Sequence, residues 1–86
     1  MNNIILINNP NELSIFLKDR RKKSKRSQGN VAANVGLQQQ TISGFERQSS
    51  QAKIDTLFRI LNELDLEFHL DDKGGAARVD DWKEEW

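Results

Sequence analysis

The chain has 86 residues, enough for one compact domain with a modest core and too few for a catalytic domain beside a regulatory one. It has no cysteine and a single histidine, His69, which excludes disulfides, cysteine nucleophiles and histidine-rich metal sites. We therefore expect no cofactor and no enzyme activity.

The formal net charge is zero, but the opposite charges occupy different parts of the chain. Residues 1–62 contain ten lysines and arginines against four acids, a net charge of +6, and residues 63–86 contain three against nine, a net charge of −6. Seven of the ten basic residues lie between Lys18 and Arg26. Such a local positive field favours binding to the phosphates of nucleic acid.

The first elements in chain order are a short strand, a turn and a helix. Residues 4–7 are isoleucine or leucine and predict a strand, and this run is too short to span a membrane, so a cytoplasmic protein is expected. The turn residues 8–11 follow, and Asn11 is the predicted N-cap of a first helix that runs to about Ser24.

Two short helices joined at a glycine are predicted next. Ser27 is the predicted cap of the second helix, which ends at Gly36, and the third runs from Gln38 to Phe45 with Ile42 and Phe45 facing inward. This arrangement is what a helix-turn-helix motif requires, because the third helix must lie close to the second while its outer face enters the major groove.

The outer face of the third helix carries neutral donors and acceptors that suit base edges, namely Gln38, Gln39, Gln40, Thr41 and Ser43. Gln28, Lys25 and Arg26 are placed to contact phosphates. A glutamine-rich face taken alone is also typical of a plain solvated surface. The adjacent basic run and the turn glycine favour the DNA-binding interpretation.

A fourth helix and a second strand complete the predicted domain, residues 1–70. Lys53 to Leu64 repeats apolar residues at helical spacing, at positions 54, 57, 58, 61 and 64. Leu66, Phe68 and Leu70 then alternate with polar residues, as in a half-buried strand. The two strands can pair with each other or with a second subunit, so these three residues are the predicted dimerisation contacts.

Residues 71–86 are predicted to form a flexible acidic tail, because glycines and acids dominate its composition. A disordered tail has no structural need for two tryptophans. Trp82 and Trp86 are therefore predicted to bind a partner protein.

Residues 13–66 resemble the helix-turn-helix family of phage-repressor type, the Xre or Cro/C1 class. The resemblance rests on Arg20, Ser27-Gln28, Val31-Ala32, Gly36, Gln39, Thr41-Ile42-Ser43, Phe45-Glu46 and residues 54–57. The family usually has a glycine after the glutamate, whereas Arg47-Gln48-Ser49-Ser50 follows here. The expected fold is all-α, a helix-turn-helix bundle of four to five helices with short terminal strands that pair in a dimer.

The layout also resembles that of HipB-type antitoxins, from the short segment before the first helix to the tail ending at Trp86. The resemblance implies a homodimer that joins its C-terminal strands, represses its own operon at a two-fold symmetric operator in double-stranded DNA, and binds a HipA-like kinase toxin. A stand-alone transcription regulator without a toxin is the alternative, and a protein-interaction module without DNA binding is a third. No membrane partner is expected.

Overall fold

A computed structural model describes residues 4–73, and this part of the chain forms four α-helices. They are α1 (Pro10–Lys23), α2 (Gln28–Val35), α3 (Gln39–Arg47) and α4 (Ile54–Glu63), and a turn of 3-10 helix, Ser49–Gln51, lies between α3 and α4. The expected all-α bundle is confirmed. Within residues 4–73 no helix is both long enough and apolar enough to cross a membrane.

Helix α1 begins earlier than predicted because Asn9, not Asn11, is its N-cap. The side-chain oxygen of Asn9 accepts a hydrogen bond from the backbone N–H of Glu12 at 2.8 Å, and the Glu12 carboxylate accepts one from the backbone N–H of Asn8 at 2.8 Å. Pro10 then occupies the first turn, where its missing N–H has no consequence. The proline therefore lies inside the helix and not in the preceding turn.

Both predicted ends of α2 are confirmed. The Ser27 hydroxyl accepts a hydrogen bond from the backbone N–H of Asn30 at 3.0 Å. At the other end Gly36 has φ 73°, in the left-handed region that only glycine adopts at little cost, and the N–H of Leu37 donates to the carbonyl of Ala32 at 2.9 Å. The chain can thus turn sharply from α2 into α3.

The core lies beneath α3, where all four helices contribute side chains. The inward orientation predicted for Ile42 and Phe45 is confirmed, since both are buried. The complete buried apolar set is Leu17, Val31, Ala32, Ile42, Phe45, Ile60, Leu61 and Leu64. This packing fixes the inner face of α3 and so determines which of its residues point outward.

Only part of the apolar stripe of α4 packs against the core. Leu61 and Leu64 are buried, whereas Ile54 is 71% exposed and Phe58 is 44% exposed. Thr56, a polar residue, is buried in this helix. The helical periodicity predicted α4 correctly but did not predict that part of its apolar face would remain uncovered.

The predicted terminal strands do not form in the single chain, where no strand occurs within residues 4–73. Phe68 instead packs edge-to-face on Phe58, with ring centroids 6.0 Å apart. The physical reason is that a strand requires a neighbouring strand for its backbone hydrogen bonds, and the two segments do not pair with each other. Pairing between two subunits stays a prediction. Trp82 and Trp86 lie outside the described residues.

Candidate nucleic-acid interface

The N-terminal ends of α2 and α3 together form a polar concave surface. A shallow depression of about 560 Å³ is lined by Gln28 at the start of α2, by Gln38 at the N-cap of α3, and by Gln39, Gln40 and Ser43 of α3. Gln38 to Thr41 are exposed to solvent. The depression therefore brings together four of the five residues that the sequence predicted to contact bases, and the fifth, Thr41, is exposed but does not line it. We refer to Gln28, Gln38 to Thr41 and Ser43 as the amide face.

The amide face contains only neutral donors and acceptors. Glutamine can form two hydrogen bonds with adenine, and the methyl group of threonine can contact the methyl group of thymine. Such groups can discriminate between base pairs, whereas lysine and arginine would contribute attraction that is independent of sequence. Within residues 4–73 no three ligating side chains cluster closely enough to hold a metal ion.

A buried ion pair fixes α3 to α1. Arg21 Nε lies 2.6 Å from Glu46 Oε2 and Arg21 Nη2 lies 3.1 Å from Glu46 Oε1, so the guanidinium and the carboxylate form a two-point contact. Only 10% of the Arg21 side chain and 6% of the Glu46 side chain are exposed. Arg21 Nη1 also donates to the carbonyl of Arg26 at 2.8 Å. Helix α3 is therefore held by a bidentate contact as well as by apolar packing.

Glu46 also orients a residue of the amide face. Gln28 Nε2 donates a hydrogen bond to Glu46 Oε1 at 2.9 Å, which connects the start of α2 with the end of α3. The side-chain oxygen of Gln28 cannot donate to a phosphate, so in this orientation a phosphate contact would need the second amide hydrogen. The predicted phosphate contact of Gln28 stays a prediction, and its position beside α3 is established.

The acidity of Glu46 reflects this network. Burial raises the pKa of the Glu46 carboxyl, but the hydrogen bonds from Arg21 and Gln28 and the positive charges of Arg21 and Lys18 outweigh burial. The pKa of Glu46 therefore lies below its ordinary value, and the carboxylate is charged at neutral pH.

This lowered pKa predicts a loss of stability in acid. Because the pKa of Glu46 is lower in the folded chain than in the unfolded chain, its contribution is present above about pH 5 and is lost as the pH falls through the folded-state pKa. Urea unfolding at about pH 7 and at about pH 3 should show a smaller decrease in the free energy of unfolding for Glu46→Gln than for the unmodified chain. Equal decreases would contradict this assignment.

The two basic residues predicted to contact phosphates differ in their surroundings. Lys25 is exposed in the turn between α1 and α2, with φ 60°. Arg26 instead reaches α4, where its Nη1 donates to the backbone carbonyl of Glu63 and lies 3.1 Å from Glu63 Oε2. Asn34 donates to the same carboxylate oxygen at 2.7 Å. Arg26 thus binds the C-terminal end of α4. Lys25 is the more accessible of the two basic residues.

Sequence reasoning identified the amide face but not the Arg21–Glu46 pair. Arg21 belongs to the basic run and Glu46 lies at the end of the motif. Because the two residues are 25 positions apart, no local pattern in the sequence connects them. The available signal was that Glu46 is one of only four acids in the basic part of the chain, residues 1–62.

The described geometry agrees with comparisons to known proteins. A helix-turn-helix family model, HTH_3, matches residues 17–70. The antitoxin HipB of Escherichia coli strain K12 is 32% identical over 71 residues, which cover 83% of this chain and 81% of that protein. The chain belongs to the HipB-type helix-turn-helix family. The antitoxin HigA1 of Mycobacterium tuberculosis strain H37Rv is 42% identical over 50 residues, which cover 58% of this chain and 34% of that protein.

Solved structures of HipB show the same fold as this HipB-type chain. The HipB chain of a HipA-HipB-O2-O3 complex superposes with a TM-score of 0.78 and 32% identity, over 80% of this chain and 97% of that one. A HipB-O4 20mer complex gives a TM-score of 0.77 and 32% identity, over the same shares of the two chains. The resemblance inferred from the sequence is confirmed, and the fold of this HipB-type chain extends over almost the whole HipB chain in both comparisons.

Proposed function

We propose that the chain is an antitoxin that represses its own operon, binds operator DNA as a dimer and binds a HipA-like kinase toxin. The observation that carries the proposal is the amide face, which presents neutral base-reading groups on a helix held by the Arg21–Glu46 pair. The HipB relatives and the solved HipA-HipB-O2-O3 and HipB-O4 20mer complexes support both partners. The extent of the HipB match favours this function over a stand-alone regulator.

The charge distribution supports docking of the amide face to DNA. The basic run from Lys18 to Arg26 covers the end of α1 and the turn before α2, and Lys25 is exposed in that turn. Residues 63–86 have a net charge of −6, so phosphates would repel them. We therefore expect DNA to approach α2 and α3, because phosphates attract the basic part of the chain and repel its acidic part.

The uncovered apolar side chains support the dimer. Ile54 and Phe58 of α4 are exposed, and so are Phe68, Leu70 and Ile4 in the terminal segments. Phe58 and Phe68 also contact each other, and exposed apolar side chains that lie together are typical of a protein interface. A symmetric dimer would place its two α3 helices in successive major grooves, at half-sites about one helical turn, roughly 34 Å, apart.

The amide face and the basic turn should affect DNA binding in different ways. Gln39→Ala is expected to weaken binding to the operator by about 1–3 kcal/mol and to relax the base preference, because a contact with a base edge is lost. Lys25→Ala is expected to weaken binding to all sequences alike and to lower the salt dependence by about one counterion. Position 25 has a positive φ of 60°, and lysine and alanine both carry a Cβ. The substitution therefore leaves the backbone strain at this position unchanged.

The measurement is a titration of operator and scrambled DNA at several salt concentrations. Asn62→Ala is the matched control, because Asn62 is an exposed amide on α4, the helix farthest in sequence from the amide face. It should leave the affinity for both DNAs unchanged. If Gln39→Ala and Lys25→Ala lower the affinity for operator and scrambled DNA equally, the assignment of α3 as the recognition helix is wrong.

A further inference from the structure

Three charged residues of α4 form one stripe, and two of them contact the end of α2. Asp55, Arg59 and Glu63 are four positions apart, so they share one side of the helix. Arg59 Nη1 donates a hydrogen bond to the backbone carbonyl of Val35 at 2.9 Å. Glu63 Oε2 accepts one from Asn34 Nδ2 at 2.7 Å. Because Asn34 and Val35 are the last two residues of α2, the stripe holds α2 at the turn that leads into α3.

The carbonyl of Val35 needs a donor from outside α2. The last four carbonyls of an α-helix have no N–H partner within the helix. Within residues 4–73 no backbone N–H donates to the carbonyl of Val35, because those of Gly36 and Leu37 both donate to an earlier carbonyl. The last turn of α2 also contains no basic residue. Arg59 of α4 therefore supplies both the donor and the positive charge that the C-terminal end of a helix favours.

The polar contacts of α4 reach α3 only by way of α2. In the described part of the chain no hydrogen bond or ion pair joins α4 directly to α3. Only three residues, Gly36 to Gln38, separate the end of α2 from the start of α3. Apart from apolar packing, the direction of α3 relative to α4 therefore depends on how α4 holds the end of α2.

We infer that Arg59 is a positioning residue for DNA recognition, which holds the α2–α3 turn against α4 and so sets the distance between the two α3 helices of a dimer. The inference rests on the DNA-binding dimer of the proposed function and adds a residue outside the amide face. Helix α4 carries Ile54 and Phe58, two of the exposed apolar side chains that support that dimer. With α4 at the dimer contact, its attachment to the α2–α3 turn determines which half-site spacing the two amide faces fit.

A plain surface ion pair does not account for the contacts of Arg59. Arg59 Nε lies 2.9 Å from Asp55 Oδ2, but these side chains are 44% and 72% exposed, so the pair itself contributes little to stability. The contact with the carbonyl of Val35 uses a different nitrogen, Nη1. The two contacts can therefore be separated by mutation, because Asp55→Asn removes the ion pair and keeps the guanidinium that binds the carbonyl.

The test is the dependence of operator binding on the spacing of the half-sites. The probes are the operator DNA next to the chain's own coding sequence and two derivatives, with one base pair inserted or removed between the half-sites. One base pair changes the separation by about 3.4 Å and the rotation by roughly 35°, so a dimer with fixed α3 helices binds the native spacing most tightly. Arg59→Met is expected to lower the preference for the native spacing about three- to tenfold, because the charged contact that holds the turn is lost.

Two further variants separate positioning from the loss of a charge or of an ion pair. Arg59→Lys keeps a cationic donor for a contact that needs only one hydrogen bond, so its spacing preference should stay within about twofold of the unmodified chain. Asp55→Asn should also stay within about twofold, because the exposed ion pair contributes little. Urea unfolding of each variant measures stability separately. The methionine variant is expected to fold, since the Arg59 side chain is 44% exposed.

The outcomes distinguish the inference from the proposed function. An unchanged spacing preference in Arg59→Met, with operator binding retained, would overturn the inference and leave the proposed function intact. An equal loss of affinity for all three operators would assign Arg59 to direct attraction of phosphates and would overturn the inference as well. If the unmodified chain binds none of the three more tightly than scrambled DNA, the proposed function itself is wrong.

Discussion

Arg21→Met is expected to lower the free energy of unfolding by about 3–5 kcal/mol, the range for breaking a buried ion pair by removing one partner. The Glu46 carboxylate, whose side chain is 6% exposed, would lose both of its contacts with the guanidinium and keep only the hydrogen bond from Gln28. The carbonyl of Arg26 would lose its donor as well. Urea unfolding at about pH 7 measures the effect.

Lys23→Met is the matched control for Arg21→Met. Lys23 also lies on α1 and is paired with Asp19 at 3.1 Å, but these two side chains are 73% and 55% exposed. An exposed pair contributes at most about 1 kcal/mol, because water screens the charges and the side chains must be ordered. If the two methionine variants lose the same stability, the buried pair does not stabilise the fold.

The double variant Arg21→Met with Glu46→Leu separates two contributions to the free energy of unfolding, namely the stabilisation by the ion pair itself and the destabilisation by a buried carboxylate without its partner. Replacing both partners with apolar residues of similar volume is often neutral or stabilising, so most of the lost stability should return. Selective operator binding should stay weakened, because Gln28 would have lost its acceptor on α3. A double variant that is stable but reads bases less selectively would show that Glu46 positions the amide face.

Trp86 is expected to contribute about 2–3 kcal/mol to binding of the kinase toxin, so deleting residues 82–86 is expected to weaken that binding by at least this amount and to leave operator binding unchanged. A tryptophan such as Trp86 buries on the order of 150–250 Å², which at about 25 cal/mol per Å² gives a gross gain of roughly 4–6 kcal/mol. The loss of conformational entropy on binding offsets part of this gain. The remaining contribution is typical of a binding hot spot and corresponds to about a 30- to 150-fold change in Kd.

The two affinities are measured separately, by titrating the truncated chain with a HipA-like kinase and with operator DNA. Lys83→Ala in the full chain is the matched control, because it changes the charge of the tail and keeps both tryptophans. Unchanged kinase affinity after the deletion would contradict the proposed role of the tail. A large loss of operator affinity would contradict the separation of the two binding surfaces.

The helices and the motif could be predicted from the sequence because their signals are local. Ser27 caps a helix through a residue three positions away, and Gly36 supplies a left-handed backbone at its own position. Apolar spacing likewise identified Ile42 and Phe45 as the inner side of α3, which left the glutamines outside. The base-reading candidates of the amide face therefore followed from residues within one short segment.

Only the tertiary structure decided which charged residues form ion pairs between helices. The Arg21–Glu46 and Arg26–Glu63 pairs join residues 25 and 37 positions apart, and each depends on how the helices pack. In the sequence both arginines looked like members of one basic run, equivalent to Lys25. Packing likewise left Ile54 and Phe58 exposed although they share the apolar periodicity of α4, and neither belongs to the buried core. Helix periodicity depends on neighbours along the chain, whereas burial depends on which other helices cover the face.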